Sequence, residues 1–391
     1  MKIFTKFFNW LFDDSGRNHK YLLDDKILFS AICLIAIGII MVYSASIAYA
    51  TNDKATHSQY FYIVRHLGYL VVGLFAGIIT FNAPTNFWRD NAPLIGIIIV
   101  TLLIAVLIPH LGKTVNGSKR WIGVGILNLQ PSELAKLGMA IFLSYYVCSK
   151  DSNLSRFFKD VLPVFAIIGI VDGLLLLEPD MGSATVVFII ALGILFMANI
   201  DKMVIIGFSG IGIIGFVVLI LTAPYRMRRV LGFINPWDDA LGKGYQLTHS
   251  LLAIGHGGWL GVGLGNSIEK LFYLPEAHTD FILAIIAEET GVAGVGIVLL
   301  LFWIIFYRGF SIIGPQAKLA NRPFQAVLAQ GISLWFFAQS LVNVGVTIGV
   351  LPTKGLTLPF VSFGGSSILV SCMALAILLK IDYENKLINK H

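Results

Sequence analysis

Charge is scarce in this sequence. Of its 391 residues only 13% are Asp, Glu, Lys or Arg, whereas 57% are hydrophobic. Soluble domains run to roughly 25% charged and 45–50% apolar. A core in water cannot hide that much apolar surface, and a disordered chain would carry far more charge. Cysteine is nearly missing too. Cys33, Cys148 and Cys372 lie in or at the end of apolar runs, with no CxxC and no metal-ligand spacing. That excludes a disulfide scaffold and a cysteine-based zinc site. No HExxH, EF-hand or GxSxG pattern occurs, and no Ser-His-Asp grouping is evident. Gly112-Lys113-Thr114 ends like a phosphate-binding loop, but Leu107 stands where that loop needs its first glycine. No unit of about 20–50 residues repeats, so solenoids and propellers fail as well.

What the chain does have is long hydrophobic runs. A bilayer-spanning helix needs about 20 mostly apolar residues. Ten segments qualify: 26–48, 60–82, 92–110, 132–149, 160–177, 182–198, 203–223, 281–307, 326–350 and 364–381. The expected fold is all-α, a polytopic membrane protein with ten transmembrane helices. A long outer loop, about 224–280, separates helices seven and eight. Residues 1–25 and 382–391 are expected to form cytoplasmic tails around a membrane domain over 26–381. The start, Met1 to Phe12, is basic and aromatic, and suits either the inner leaflet or a disordered tail. The first apolar run is too long for a cleaved signal peptide, so it is expected to stay as a helix.

Ten crossings put both termini on one side. With the termini inside, sixteen Lys and Arg fall in inner segments. The short outer loops then hold five: Lys54, Lys113, Lys119, Arg120 and Lys354. Basic residues of the long outer loop do not count in this comparison. The termini are therefore expected in the cytoplasm, and most of the net charge of +6 follows from topology.

Function should lie where polar residues exceed what topology demands. Three outer segments, 111–131, 224–280 and 351–367, mix basic, acidic, aromatic and glycine residues. Lys119, Arg120 and Trp121 could grip a phosphate and stack on a sugar, or simply hug the interface. Glu133 and Lys136 lie three apart inside an apolar helix, either as a structural ion pair or with Lys136 facing an anionic substrate. Arg65 in the second span raises the same question. In the long loop Lys243 and Lys270 are cations, and Glu276, His278 and Asp280 crowd the approach to the eighth span. Asp280 would serve equally as a helix N-cap or as a general base whose pKa nearby carboxylates raise. The glycines from Gly255 to Gly265 have Rossmann-like spacing, but close packing of an interfacial helix fits better.

These residues also form recognisable strings. Val42-Tyr-Ser-Ala-Ser46, Lys119-Arg-Trp-Ile122, Gln130-Pro-Ser-Glu-Leu-Ala-Lys136, Glu178-Pro-Asp-Met-Gly182, Pro275-Glu-Ala-His-Thr-Asp-Phe281 and Leu358-Pro-Phe-Val-Ser-Phe-Gly-Gly-Ser-Ser367 resemble the FtsW/RodA (SEDS) family across nearly the whole chain. Gly244-Tyr-Gln-Leu-Thr248 and Leu351-Pro-Thr-Lys-Gly-Leu-Thr357 are more similar to its FtsW branch, and Phe363 replaces the usual Tyr. The resemblance implies a peptidoglycan glycosyltransferase that polymerises lipid II at the division septum of the bacterial inner membrane. It implies a class B penicillin-binding transpeptidase and other divisome proteins as partners, and no nucleic acid. The family's key acid maps onto Asp280. Substrate-binding candidates are Arg120, Trp121, Glu133, Lys136, Lys243, Lys270, Glu276, His278 and Arg65. A divalent cation, Mg or Mn, is a candidate cofactor for the pyrophosphate leaving group. Two competing readings are a lipid II flippase and a non-catalytic divisome scaffold.

Overall fold

The computed structural model describes residues 23–52, 58–115, 118–124, 127–149, 160–198, 200–222 and 224–388. The stretch from Met1 to Phe12 lies outside the described residues. The fold is mostly helical. A helix stands over each of the ten apolar segments: α1 (Asp25–Asn52), α2 (Phe61–Asn82), α4 (Ala92–Leu107), α5 (Pro131–Ser149), α6 (Leu162–Leu177), α7 (Met181–Met197), α8 (Lys202–Thr222), α11 (Ile282–Arg308), α13 (Pro323–Thr347) and α14 (Gly365–Ile388). Shorter helices fill the connections: α3 (Thr85–Asp90), α9 (Pro224–Ile234), α10 (Tyr245–Gly257) and α12 (Gly314–Leu319). Among the described residues, six helices are long and apolar enough to cross a membrane. Ala92–Leu107, Leu162–Leu177 and Met181–Met197 are apolar but shorter. The C-terminal helix continues to Ile388, past the boundary expected at 381.

The outward faces explain the composition. Val71, Phe75 and Ile78 of α2, Ile97 of α4 and Ile211, Ile213 and Ile214 of α8 are exposed, which suits contact with lipid rather than water. Inside, Trp335, Phe336 and Phe302 are fully buried at the centre of the bundle. Small residues bring helices close: a Cβ on Gly77 of α2 would stand 3.3 Å from the Cys372 carbonyl of α14.

One part of the expectation of an all-α chain needs correction. Three short segments form an antiparallel sheet, β1 (Gly112–Val115), β2 (Ser118–Val124) and β3 (Leu127–Leu129). Val115 pairs with Ser118 and Val124 with Leu127, so two residues separate each pair of strands. A membrane bundle can carry such a ribbon only where water or protein satisfies its edges.

The long loop docks on a broken helix. Helix α11 is interrupted at Gly291, whose φ is 70°. Val262 and Gly263 donate their N–H groups to the carbonyls of Glu288 and Glu289, while Val292 and Ala293 donate to those of Gly258 and Trp259. The loop thus supplies the bonds the helix gives up. Gly257 and Gly261 allow this close approach: a Cβ on either would run into the backbone at Ala287 or Glu289.

Candidate active site

Three of the connecting segments meet around Arg120, Asp280 and Gly355. The turn before α11 is closed by Thr279 and Phe281, whose N–H groups donate to the Glu276 carbonyl at 3.1 and 3.2 Å. The Thr279 hydroxyl donates to the Glu276 carboxylate at 2.8 Å. Phe281, one residue on, occupies the N-cap position of α11. Asp280 is half-buried. Asn343 of α13 holds its carbonyl at 3.0 Å and the Leu356 carbonyl at 2.6 Å. This ties the turn to the irregular stretch 352–358.

Gly355 in that stretch marks the meeting point. A Cβ there would stand 2.9 Å from Asp280 Oδ2 and 3.9 Å from Arg120 Nη1. Arg120 arrives by an irregularity in the sheet: Lys113 pairs with Trp121 and Thr114 with Lys119, which leaves Arg120 as the extra residue of β2. Bulges of this kind re-aim a side chain out of the ladder. Arg120 Nε and Nη2 donate to the carbonyls of Glu178 and Pro179 at 3.2 and 2.6 Å.

Beside this point lies a small cleft lined by Arg120, Asp180, Phe216, Lys354 and Gly355, among others. Asp180 is its structural acid. It caps α7 by accepting from the Ser183 N–H at 3.1 Å, and it takes the hydroxyls of Ser183 and Ser132, each at 2.9 Å. Lys354 is its second cation. Its ammonium donates to Thr185 at 2.8 Å and lies 4.8 Å over the Phe216 ring. Burial lowers the Lys354 pKa to about 8.

The other sequence candidates are spread around this centre. Lys136 is fully buried below it, 2.8 Å from Glu133 and donating to Gln339 at 3.1 Å. Gln339 in turn donates to the Thr357 carbonyl at 2.7 Å, so the pair underpins the wall of the site. His278 is buried between Tyr62, Phe363 and Tyr49, with ring centroids 4.6, 5.6 and 5.8 Å away. Burial holds its imidazole below the ordinary pKa, against the pull of Glu276. Lys270 is spoken for elsewhere, donating to Glu289, Ser44 and the Gly265 carbonyl. Trp121 pairs with Lys113 in the sheet. Lys243 is exposed on the long loop, and Arg65 is exposed on α2 with its guanidinium 4.2 Å over Phe61. The structure thus brings Arg120 to Asp280, and adds Lys354, Gly355 and Asn343, which the sequence reading did not place in the site. Gln339 and Asn343 did carry a signal: two amides four residues apart share one face of an otherwise apolar helix.

Comparison with known proteins agrees with this arrangement. Residues 25–387 match the family that groups FtsW, RodA and SpoVE, described as "Cell cycle protein". A probable peptidoglycan glycosyltransferase FtsW of Burkholderia thailandensis is 48% identical over 368 residues, covering 93% of this chain and 79% of the relative. Its counterpart in Aromatoleum aromaticum is 49% identical over 363 residues, covering 93% and 88%. Among solved structures, a chain of a peptidoglycan synthase complex, described as coordinating polymerization and crosslinking, superposes with a TM-score of 0.74. It is 26% identical and covers 93% of this chain and 98% of its own. The rod shape determining protein RodA of Thermus thermophilus gives 0.67 at 25% identity, covering 94% and 99%. The chain belongs to the FtsW, RodA and SpoVE family of membrane proteins.

Proposed function

We propose that this chain is a peptidoglycan glycosyltransferase that polymerises lipid II into glycan strands at the outer face of the bacterial inner membrane, at the division septum. The observation that carries the reading is the convergence of Asp280 Oδ2 and Arg120 Nη1 on Gly355 beside a cationic cleft. Asp280 is the general base. It takes the proton of the acceptor sugar hydroxyl as that oxygen attacks the donor's anomeric carbon. The bond from that carbon to the pyrophosphate oxygen breaks, and the lipid pyrophosphate leaves with the electron pair. Arg120 and Lys354 meet the growing negative charge in a partly dry cleft, where fixed cations act more strongly than in water. The leaving group needs no acid, so one carboxylate suffices.

Lys136 and Glu133 act from beneath through Gln339 and Thr357, while Glu276 and His278 shape the turn that carries Asp280. Among the described residues no three His, Cys, Asp or Glu side chains gather as a metal site. A divalent cation, Mg or Mn, would here be held by the lipid pyrophosphate more than by the protein. Ten crossings with both termini cytoplasmic put the sheet, the 178–180 turn and Asp280 outside, where lipid II presents its sugars. The neighbour whose description couples polymerization to crosslinking supports a class B penicillin-binding transpeptidase as partner, with other divisome proteins around it.

The test is polymerisation of lipid II in detergent by the chain with its transpeptidase partner, comparing wild type with Asp280→Asn. Loss of a general base predicts a fall of about 10²-fold or more. Normal glycan length from the variant overturns the assignment. If neither protein polymerises while vesicles scramble lipid II, the transporter reading takes its place.

A further inference from the structure

The turn that holds Arg120 contains an acid the mechanism above does not use. Glu178 is 0% exposed. It ends α6, donating its N–H to Leu174 at 3.1 Å. Its main-chain carbonyl is one of the two that grip Arg120. Its carboxyl oxygens, both buried, have no hydrogen-bond partner among the described residues. Asp180, two residues on, is satisfied by side chains and backbone alike. A buried carboxyl group without a donor is costly when charged, and such a group calls for an explanation.

We infer that Glu178 is a positioning residue for Arg120: uncharged, it leaves the guanidinium on the backbone carbonyls with Nη1 turned toward Asp280, and ionised, it draws the guanidinium onto itself and out of the cleft. The inference rests on reading the cleft as the pyrophosphate site. The charged groups around Glu178 are Asp180 on its own turn, Arg120 from β2 and, on the same cleft, Lys354 from the stretch before α14. Burial and then Asp180 push the Glu178 carboxyl up to about 8, while Arg120 pulls it down. The neutral form therefore prevails at neutral pH, and the ionised form takes over on the alkaline side. With the acid neutral, Arg120 stays anchored on the Glu178 and Pro179 carbonyls. An ionised one offers a charge-assisted, fork-shaped partner that carbonyls cannot match.

The test uses the same polymerisation assay with the transpeptidase partner present, run from about pH 6.5 to 9.5. It compares wild type with Glu178→Gln and Glu178→Met. Both replacements stay neutral, and methionine also suits a buried site that makes no hydrogen bond. At neutral pH both variants should polymerise within about threefold of wild type. At pH 9, where a group titrating near 8 is about nine-tenths ionised, each should keep about fivefold more of its own neutral rate than wild type does. The difference should appear in the KM for lipid II more than in kcat. Lys354 also loses charge in this range, but equally in all three proteins. An alkaline fall identical to wild type overturns the inference. So does loss of activity at neutral pH, or failure of both variants to fold, because a neutral side chain is then not the working form. Asp280→Asn run alongside separates the two claims: if it polymerises, the base assignment falls whatever the Glu178 variants do.

Discussion

The side-chain amide of Asn343 donates to the main-chain carbonyl of Asp280 at 3.0 Å and to that of Leu356 at 2.6 Å. One buried group of α13 thus fixes the turn that carries Asp280 and the irregular stretch that carries Gly355. Asn343→Leu removes both donors and strands two carbonyls. The expected cost is about 1–3 kcal/mol of stability, as for other buried groups left unpaired. Catalysis should suffer more, because the base loses its placement: kcat should fall about 10-fold or more, with KM little changed. Polymerisation kinetics and thermal unfolding of the same detergent sample read both effects.

Gly355→Ala probes the same point from the other side. The new methyl would stand 2.9 Å from Asp280 Oδ2 and 3.9 Å from Arg120 Nη1. The nearest atom is the tip of a side chain rather than backbone, so the fold should tolerate it while the carboxylate swings aside. The variant should express and bind its partner normally, yet polymerise about 10-fold more slowly, since small displacements of a catalytic group cost that much. An unchanged rate would remove Gly355 from the site.

Lys354 ties activity to pH. Burial brings its ammonium down to about 8. The charge is complete below that pH and is lost as pH rises through it, so support for the pyrophosphate weakens on the alkaline side. Polymerisation by wild type should therefore decline between about pH 7.5 and 9. Lys354→Arg, charged throughout this range, should keep at least about threefold more of its neutral rate at pH 9. Lys354→Met should be slow at every pH.

The helices were legible because their signal is composition over about 20 residues, which neighbours do not alter. Asp280 and Arg120 were legible as types in two segments that the fold brings together, and the family resemblance pointed to the acid. The sheet was not. Its strands are short, and in an interfacial loop Lys-Arg-Trp reads as well for a membrane surface as for a ladder. Yet Asn116-Gly117, between Val115 and Ser118, is a strong short-range hairpin signal. Lys270 shows the opposite failure. Its place in the chain, ten residues before Asp280, suggested a shared site, but the three-dimensional path takes its ammonium to Glu289 and Ser44. Sequence distance carries no information about which carboxylate a loop lysine meets after the loop has docked.

That docking gives a last prediction. Gly291 has a φ of 70°, and a Cβ there would run into the Trp259 backbone. An alanine must adopt a strained conformation, costing about 1–3 kcal/mol, and must also push the loop off the helix. The amides of Val262 and Gly263, bonded to the Glu288 and Glu289 carbonyls, should then exchange with deuterium faster in Gly291→Ala. The same carbonyl stretch lies about two turns beyond Asp280 along α11, so polymerisation should fall with the loss of protection. Gly296→Ala is the matched control: it lies on the same helix, and its Cβ would meet nothing within 4 Å. Protection and activity unchanged in Gly296→Ala, with both reduced in Gly291→Ala, would assign the effect to the docked loop. Equal exchange in the two variants would mean that the loop is held by its side chains, chiefly Lys270 and the hydroxyl of Ser267 on Glu288, rather than by the break in the helix.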